Sequence, residues 1–395
     1  MNPRRKVLDL SAKPLSTWCR DRLEELLGDV SMLVHRETPS TDKALLDSAA
    51  DSILAWLRDR LGEPAELVRH EHAEHGDLLE VTYAGATADP VLLVGHYDTV
   101  WPAGTVDRWP FAVREDGTAT GPGIYDMKTG LVTGVWALLA LREAGLPCPA
   151  VRFMFNGDEE LGSPVSRPHI ERAAPACLAT LVLEPGVGWD VKAERKGVGI
   201  FTITTSGVEA HSGNDPAGGA SAIHALADII HRITREADLD RGTSINVGTI
   251  GGGTARNVIA GEATCLIDVR VGEQAEADRI DAVFADLTAA DPRVQVRVEG
   301  RWSRPPMRLT PVSRKLFELA DDVAASVRAP LEPISVGGGS DANFVSALGL
   351  PVLDGLGASG EGAHALHEHV VVDRIPDRVA LVAGILTRLA EERPE

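Results

Sequence analysis

The stretch VLLVGHYDTV at residues 91–100 decides the fold class of this chain. Its first four residues are apolar and lead directly into a glycine and a histidine, which is typical of a short buried strand that ends at a functional side chain. The apolar runs 151–155 and 180–183 end in the same way, at the acidic cluster 158–160 and at Glu184. Because helical segments separate these runs, we predict an α/β fold with a mostly parallel sheet and helices on both faces.

The order of predicted elements changes after residue 197. From there to residue 298 the periodicity indicates strand, helix, strand, strand, helix and strand in succession. That order is the ferredoxin-like arrangement of an α+β domain. After Arg304-Pro305-Pro306 the alternation of helices and strands resumes. We therefore expect a discontinuous core domain at residues 1–197 and 308–395, with a smaller domain inserted at residues 198–307.

Composition and net charge limit the partners and the compartment that we expect for this protein. The chain has 395 residues and a formal net charge of −19, so nucleic acid and anionic membranes are unfavourable partners. The first residues lack an apolar signal core, and no apolar run approaches the roughly 20 residues of a membrane span. The four cysteines are scattered without the spacing of a metal site. We expect a cytoplasmic protein with a small-molecule or short-peptide substrate.

Five side chains of the metal-binding type stand after apolar runs or in glycine-rich turns. They are His96, Asp126, Glu160, Glu184 and His364. Two imidazoles and three carboxylates suit two adjacent divalent metals, whereas a closed structural zinc site prefers thiolates. The set therefore predicts a site for two Zn²⁺ ions, with Co²⁺ or Mn²⁺ as substitutes.

Asp126 is the predicted bridge between the two metals, because it lies in a tight glycine-rich turn and a carboxylate offers two oxygens. His96 and Glu184 would complete one metal site. Glu160 and His364 would complete the other.

Three further acids lie beside these ligands. Asp98 follows His96 by two residues, so in an extended segment both side chains share a face and the carboxylate can orient the imidazole. Glu159 is adjacent to a ligand but is not needed as one, which predicts a general base. Asp158 is interpreted as a turn residue outside the site.

Four motifs carry a resemblance to the M20 metallopeptidases. They are GHYDTV at 95–100, GIYDMK at 123–128, the pair Glu159-Glu160, and His364 followed four residues later by Glu368. The resemblance implies a two-domain fold, a di-zinc site on the residues above, a dimer through the inserted domain and a cis peptide after Asp126. It selects His364 rather than His367 from the histidine-rich segment 360–369.

The same resemblance assigns three residues of the inserted domain. His211, in the stretch EAHSG, is similar to a histidine that reaches the partner subunit's active site and stabilises the oxyanion of the tetrahedral intermediate. Asn257 is similar to a residue that hydrogen-bonds the substrate. Arg270 is similar to the arginine that binds the free α-carboxylate, to which a guanidinium fork is suited.

Specificity depends on further basic residues. Lys192 and Arg304 lie where the glutamate carboxypeptidases of this family hold the glutamate side chain, and Arg195, Lys196 and Arg301 compete for these roles. The turn at residues 337–341, GGGSD, also matches that subgroup. Its amides could form an anion-binding rim, and Asp341 is equally a candidate helix N-cap.

These observations predict a metal-dependent hydrolase of carboxypeptidase type that releases a C-terminal acidic amino acid, with glutamate favoured. An N-acyl-amino-acid deacylase, or a pathway enzyme that removes an amino acid from a carrier, would keep the metals and Arg270 without needing Lys192 and Arg304 together. A catalytically silent binding relative is a third alternative, which the intact Glu159 and five intact ligand positions disfavour.

Overall fold

A computed structural model describes residues 12–391, so the basic start at residues 4–6 lies outside the described residues. The chain forms two compact units. Of the described residues, the first comprises those up to Glu194, Leu309–Ser335 and those from Ser340 onward, and the second comprises Arg195–Arg308 with Val336–Gly339. The predicted inserted domain did not include residues 336–339. They belong to the second unit because the Val336 carbonyl accepts a hydrogen bond from the Lys196 amide at 3.1 Å.

The central sheet of the first unit has six strands. In spatial order they are Glu66–His70, Leu78–Tyr83, Val151–Asn156, Val91–His96, Thr180–Val182 and Val352–Leu353. The last three pairings are parallel, as predicted, but the first two are antiparallel, so the sheet is mixed. The sequence interpretation missed the first two strands. Their connection at residues 71–77 is too short for the crossover that a parallel pair needs.

Helices cover this sheet. Those of the first unit are Ala12–Arg20, Leu23–His35, Lys43–Leu61, Thr105–Arg108, Thr129–Ala144, Arg167–Ala173, Pro311–Val327, Ala342–Ala347 and Ile375–Glu391. The first two helices are separated near Asp21, where Arg22 leaves helical backbone geometry. Residues 124–144 are apolar and long enough to cross a membrane by composition, but 83% of the most apolar window is buried inside the protein. Most of this segment is the central core helix of the unit, Thr129–Ala144.

A second, smaller sheet of the first unit was not predicted. Its short strands are Gly360–Glu361, His369–Val371, Thr118–Thr120 and Ala112–Val113, in that spatial order. All of its pairings are antiparallel. The first two strands form a hairpin whose turn, residues 362–368, carries His364.

The second unit is built on a four-stranded antiparallel sheet. In spatial order its strands are Ser244–Gly252, Glu262–Val271, Gly197–Ser206 and Gln295–Arg304, with helices Ala222–Thr234 and Gln274–Ala285. The β-α-β-β-α-β order along the chain is the one that the sequence predicts. Phe201 and Ile203 pack with residues of both helices in one apolar cluster, so the helices cover a single face of the sheet. The remaining strands of the chain are Val191–Arg195 and Pro333–Val336.

Candidate metal centre

Three neighbouring parallel strands bring predicted metal ligands to one edge of the central sheet. His96 ends its strand, Glu160 lies in the turn Glu159–Leu161 after the strand Val151–Asn156, and Glu184 follows the strand Thr180–Val182. The carboxyl ends of parallel strands meet at one edge, which is where open α/β sheets bind ligands. Asp126 comes from the turn before the central helix, and His364 from the hairpin turn of the small sheet.

The five predicted ligands form two groups that share one residue. His96, Asp126 and Glu184 form the first group, and Asp126, Glu160 and His364 form the second; within each, the donor atoms lie within 4.8 Å of one another. Nε2 of His96 lies 3.2 Å from Oδ1 of Asp126, and Nε2 of His364 lies 3.4 Å from Oδ2. Asp126 thus presents a different oxygen to each group, which is what a bridging carboxylate requires.

Two outer carboxylates complete the groups. Oε1 of Glu184 lies 3.6 Å from Nε2 of His96. Both carboxylate oxygens of Glu160 lie 3.2 Å from Nε2 of His364. His364 has a φ of 62°, a left-handed conformation that is uncommon for residues other than glycine and often marks a functional site.

The electrostatics of the centre favour cations. Hydrogen bonds to Asp126 and Glu160 raise the pKa of His364 to about 10. Burial opposes a charged His96, but hydrogen bonds to Asp126, Asp98 and Glu184 outweigh it and raise its pKa. For Asp126, burial is outweighed by the bonds from both imidazoles, so its pKa is lowered. The imidazoles thus supply positive charge that metal ions can replace, and the mixed nitrogen and oxygen donors fit zinc, cobalt or manganese.

Asp98 organises two parts of the centre. It is fully buried, and its carbonyl oxygen and Oδ1 lie 3.0 and 3.4 Å from Nδ1 of His96, which agrees with the predicted orienting role. Its carboxylate also accepts the amides of Glu159 and Glu160 at 3.2 Å and the Ser40 hydroxyl at 2.7 Å. Sequence reasoning missed these bonds, because nothing in the sequence links Ser40 to this motif.

The acids Glu159 and Asp158 lie outside the two groups of donor atoms. The Glu159 carboxylate belongs to neither group of donor atoms, although its main chain is fixed beside them. Asp158 is buried and accepts the amides of Val165 and Ser166 at 2.8 and 3.1 Å, as a turn residue would. His367 is in neither group.

Lys192 lies beside the metal centre. Its Nζ is 3.9 Å from Oε2 of Glu184, and its side chain is 14% exposed. The positive charge also helps to lower the pKa of Asp126. A candidate substrate-binding cation is therefore placed next to a predicted ligand within the first unit.

In the second unit, His211 and Asn257 belong to adjacent segments. The Ser212 amide donates to the Asn257 carbonyl at 3.0 Å. His211 is exposed, and its Nδ1 accepts the amides of Gly213 and Asn214 at 3.1 and 3.0 Å. A neutral His211 must then carry its proton on Nε2, which leaves that nitrogen as a donor.

Three arginines of the second unit meet at the glycine turn 337–339. Arg270 and Arg304 are both paired in register with Val198, one from each neighbouring strand, so they flank it on one face of the sheet. Arg270 donates to the Gly337 carbonyl at 3.4 Å, and buried Arg195 donates to the carbonyls of Gly338 and Gly339 at 3.1 Å.

One prediction about the segment 337–341 needs amendment. Arg195 and Arg270 donate to the carbonyls of residues 337–339, and the anion-binding rim of amides stays a prediction. Asp341 occupies the N-cap position of helix Ala342–Ala347, but its side chain makes no cap bond. It accepts instead from Asn156 and Ser163, because it is buried among them.

The family model described as peptidase family M20/M25/M40 matches residues 92–388. The chain belongs to this family. The peptide bond after Asp126 is cis, as the resemblance implies. M20 relatives are metal-dependent hydrolases of peptide or amide bonds, and the expected class of enzyme is confirmed.

Several curated relatives align along most of the chain. Carboxypeptidase G2 of a Pseudomonas species is 27% identical over 376 residues, which cover 93% of this chain and 90% of that protein. Succinyl-diaminopimelate desuccinylase of Ruegeria pomeroyi is 30% identical over 326 residues, with coverage of 74% and 81%. These relatives differ in substrate, so membership of the M20 family leaves the substrate of this enzyme open.

Solved structures share the fold. A tripeptidase from Staphylococcus aureus has a TM-score of 0.78 at 21% identity and covers 94% of this chain and 99% of its own. A metallo-carboxypeptidase of the M20 family from Sulfolobus solfataricus has a TM-score of 0.73 at 16% identity, with coverage of 93% and 100%. At such identities the likeness shows the M20 α/β fold alone.

Proposed function

We propose that this M20 enzyme is a di-zinc carboxypeptidase that releases a C-terminal glutamate from an N-acyl or peptidyl group. The single observation that carries the choice of glutamate is the position of Lys192, whose Nζ lies 3.9 Å from Glu184 in the first donor group. A partly buried cation there is suited to balance a carboxylate of the substrate as well as the acids of the metal centre. Similarity to carboxypeptidase G2 over nearly the whole chain supports this choice.

His96, Asp126 and Glu184 would hold one metal, and Asp126, Glu160 and His364 the other. Metals held there would lower the pKa of the attacking water and polarise the amide carbonyl. Glu159 takes a proton from that water as its oxygen adds to the carbonyl carbon. It then returns the proton to the amide nitrogen as the carbon–nitrogen bond breaks, leaving a carboxylate and a free amine.

His211 is proposed to donate from Nε2 to the developing oxyanion, which its engaged Nδ1 favours. Arg270 is proposed to bind the α-carboxylate, and Lys192 with Arg304 the side-chain carboxylate. Asn257 is proposed to hydrogen-bond the substrate. Each role rests on the match to family motifs and on the local contacts of the residue.

A homodimer through the second unit is proposed as the working assembly. The edge strand Ser244–Gly252 is largely exposed, and Ile250 on it is 62% exposed. An unpaired edge with an apolar residue is suited to pairing with a second copy. Light scattering during gel filtration would test this dimer, and a monomer at micromolar concentration would contradict it.

The substrate is tested by hydrolysis of N-acyl-glutamate, N-acyl-aspartate, N-acetyl-ornithine and N-acyl-leucine by the zinc-loaded enzyme, with a chelator-treated control. A strong preference for glutamate is expected. Preference for a basic or apolar amino acid would remove the roles of Lys192 and Arg304 and leave the proposed metal chemistry standing. No hydrolysis of any amide, with metal bound, would overturn the proposed function.

A deacylase of biosynthetic type is the second candidate. It is favoured by the 30% identity to a succinyl-diaminopimelate desuccinylase. Such an enzyme would cleave the acyl group from a side-chain amine, and N-succinyl-diaminopimelate added to the panel separates the two.

A further inference from the structure

Glu368 is a buried carboxylate that no step of the proposed mechanism uses. It has no exposed surface, yet it accepts four hydrogen bonds. Oε1 accepts the amides of Tyr125 and Asp126 at 2.8 and 3.1 Å, and Oε2 accepts the Gly123 amide at 3.1 Å and Nε1 of Trp101 at 2.9 Å. A buried carboxylate that is satisfied mainly by main-chain amides fixes the backbone that it binds.

The donors come from segments that carry metal ligands. Gly123, Tyr125 and Asp126 form the turn of the bridging residue, and Trp101 continues the segment that contains His96 and Asp98. Glu368 itself closes the hairpin turn that carries His364. One side chain therefore joins three of the five ligand segments.

The backbone of Glu368 is itself held in place. Its carbonyl accepts the Thr120 hydroxyl at 2.7 Å, and that hydroxyl also accepts Nε1 of Trp109 at 3.0 Å. The next residue, His369, is paired in register with Thr120 across the small sheet. The strand Thr118–Thr120, which contains no predicted ligand, thus anchors Glu368, so its carboxylate can act as a fixed reference for the turn 123–126.

We propose that Glu368 is a positioning residue of the metal centre: it holds the turn of Asp126 and the segment of His96 at the spacing that two metals need. The inference rests on the proposed metal-binding role of the five ligands. Three N–H groups of one turn aimed at a single carboxylate preset the direction of the bridging Asp126 before a metal binds. Such supporting groups affect metal affinity as well as rate.

The test is Glu368→Gln, which keeps the size of the side chain but turns an NH₂ group toward amide donors. Its matched control is Glu361→Gln, an exposed glutamate on the same hairpin. Zinc affinity and stoichiometry would be measured by competition with a chromophoric chelator, and thermal unfolding of the metal-free proteins would show that both variants fold. We expect Glu368→Gln to weaken at least one zinc by roughly 10- to 100-fold and Glu361→Gln to leave both unchanged.

A second variant covers the case in which Glu368→Gln does not fold. Trp101→Phe keeps an aromatic side chain and removes one of the four donors, so a smaller loss of zinc affinity is expected. Wild-type zinc affinity at both sites in a folded Glu368→Gln, or in Trp101→Phe if that variant alone folds, would overturn the proposal. Failure of the wild-type protein to bind two metals would instead overturn the proposed function.

Discussion

The metal centre of the first unit and the arginine cluster of the second unit are organised in opposite ways. At the metal centre, the side-chain atoms of the predicted ligands lie close to one another. Main-chain amides donate hydrogen bonds to the neighbouring carboxylates of Asp98 and Glu368. In the arginine cluster, the side-chain hydrogen bonds described for Arg195 and Arg270 are donated to carbonyls or to an acid of the same unit. The first region is arranged for an incoming cation. In the second, the substrate anion that we propose to bind there would compete with partners already in place.

The largest effect on kcat is expected for Glu159, the proposed general base next to the predicted ligand Glu160. Glu159→Gln removes the proton acceptor but keeps the turn, because Asp98 binds its main-chain amide and not its carboxylate. We expect kcat to fall by roughly 10²- to 10⁴-fold, the usual contribution of general acid–base catalysis. Zinc stoichiometry should stay at the wild-type value, as measured by metal analysis after gel filtration. Loss of metal in this variant would mean that Glu159 is a ligand.

The next effect concerns protons at the metal centre. In the metal-free protein the pKa of His364 is about 10, so the imidazole is protonated at neutral pH and a metal must displace that proton. Apparent zinc affinity should therefore rise with pH, by about tenfold per pH unit for each proton displaced.

Calorimetry of zinc binding at pH 7 in buffers of different ionisation enthalpy would count the released protons. His364→Asn, which cannot titrate, should release fewer protons than the wild type. Equal proton release by the two proteins would contradict the assigned role of His364.

Substitution of Lys192 tests how far the cation beside the metal centre sets the preference for an acidic amino acid. Lys192→Met should lower kcat/KM for an N-acyl-glutamate by roughly 10- to 100-fold, the size of one charge-assisted hydrogen bond. The effect on N-acyl-leucine should be much smaller. Lys315→Met, an exposed lysine on the helix Pro311–Val327, is the control for net charge. An equal loss for both substrates would place Lys192 in support of the metal centre and not of specificity.

The two regions also differ in how far the sequence predicts them. The ligands His96, Asp126 and Glu184 were predicted because each stands in a short glycine- or strand-bounded motif, and parallel strand ends share one edge. The strands Gly360–Glu361 and His369–Val371 are too short to carry any periodicity, so the sheet that anchors Glu368 was missed. Hydrogen bonds that distant main-chain amides donate to a side chain leave no pattern in the sequence at all.

The arginine cluster illustrates the same limit. The motif around Arg270 predicts a carboxylate-binding residue, but it does not show the partner that the residue already has. Asp268 lies two positions earlier on the same strand, and each of its oxygens accepts a 2.8 Å hydrogen bond from Arg270. Side chains two apart share a face of a strand, so this pairing is local and could have been predicted from spacing.

Asp268 gives the smallest of the expected effects. Both partners are partly exposed, at 39% and 30% of their side chains, so the pair is worth about 0.2–1 kcal/mol, or roughly a 1.4- to fivefold change in affinity. Asp268→Asn frees the guanidinium fork and removes a negative charge that repels an anionic substrate. KM for an N-acyl-glutamate should therefore fall by that factor with kcat unchanged, whereas Asp278→Asn, an exposed change of equal charge, should do nothing. A rise in KM would show the reverse, that Asp268 holds Arg270 in its binding position, and the two regions would then share one principle of organisation.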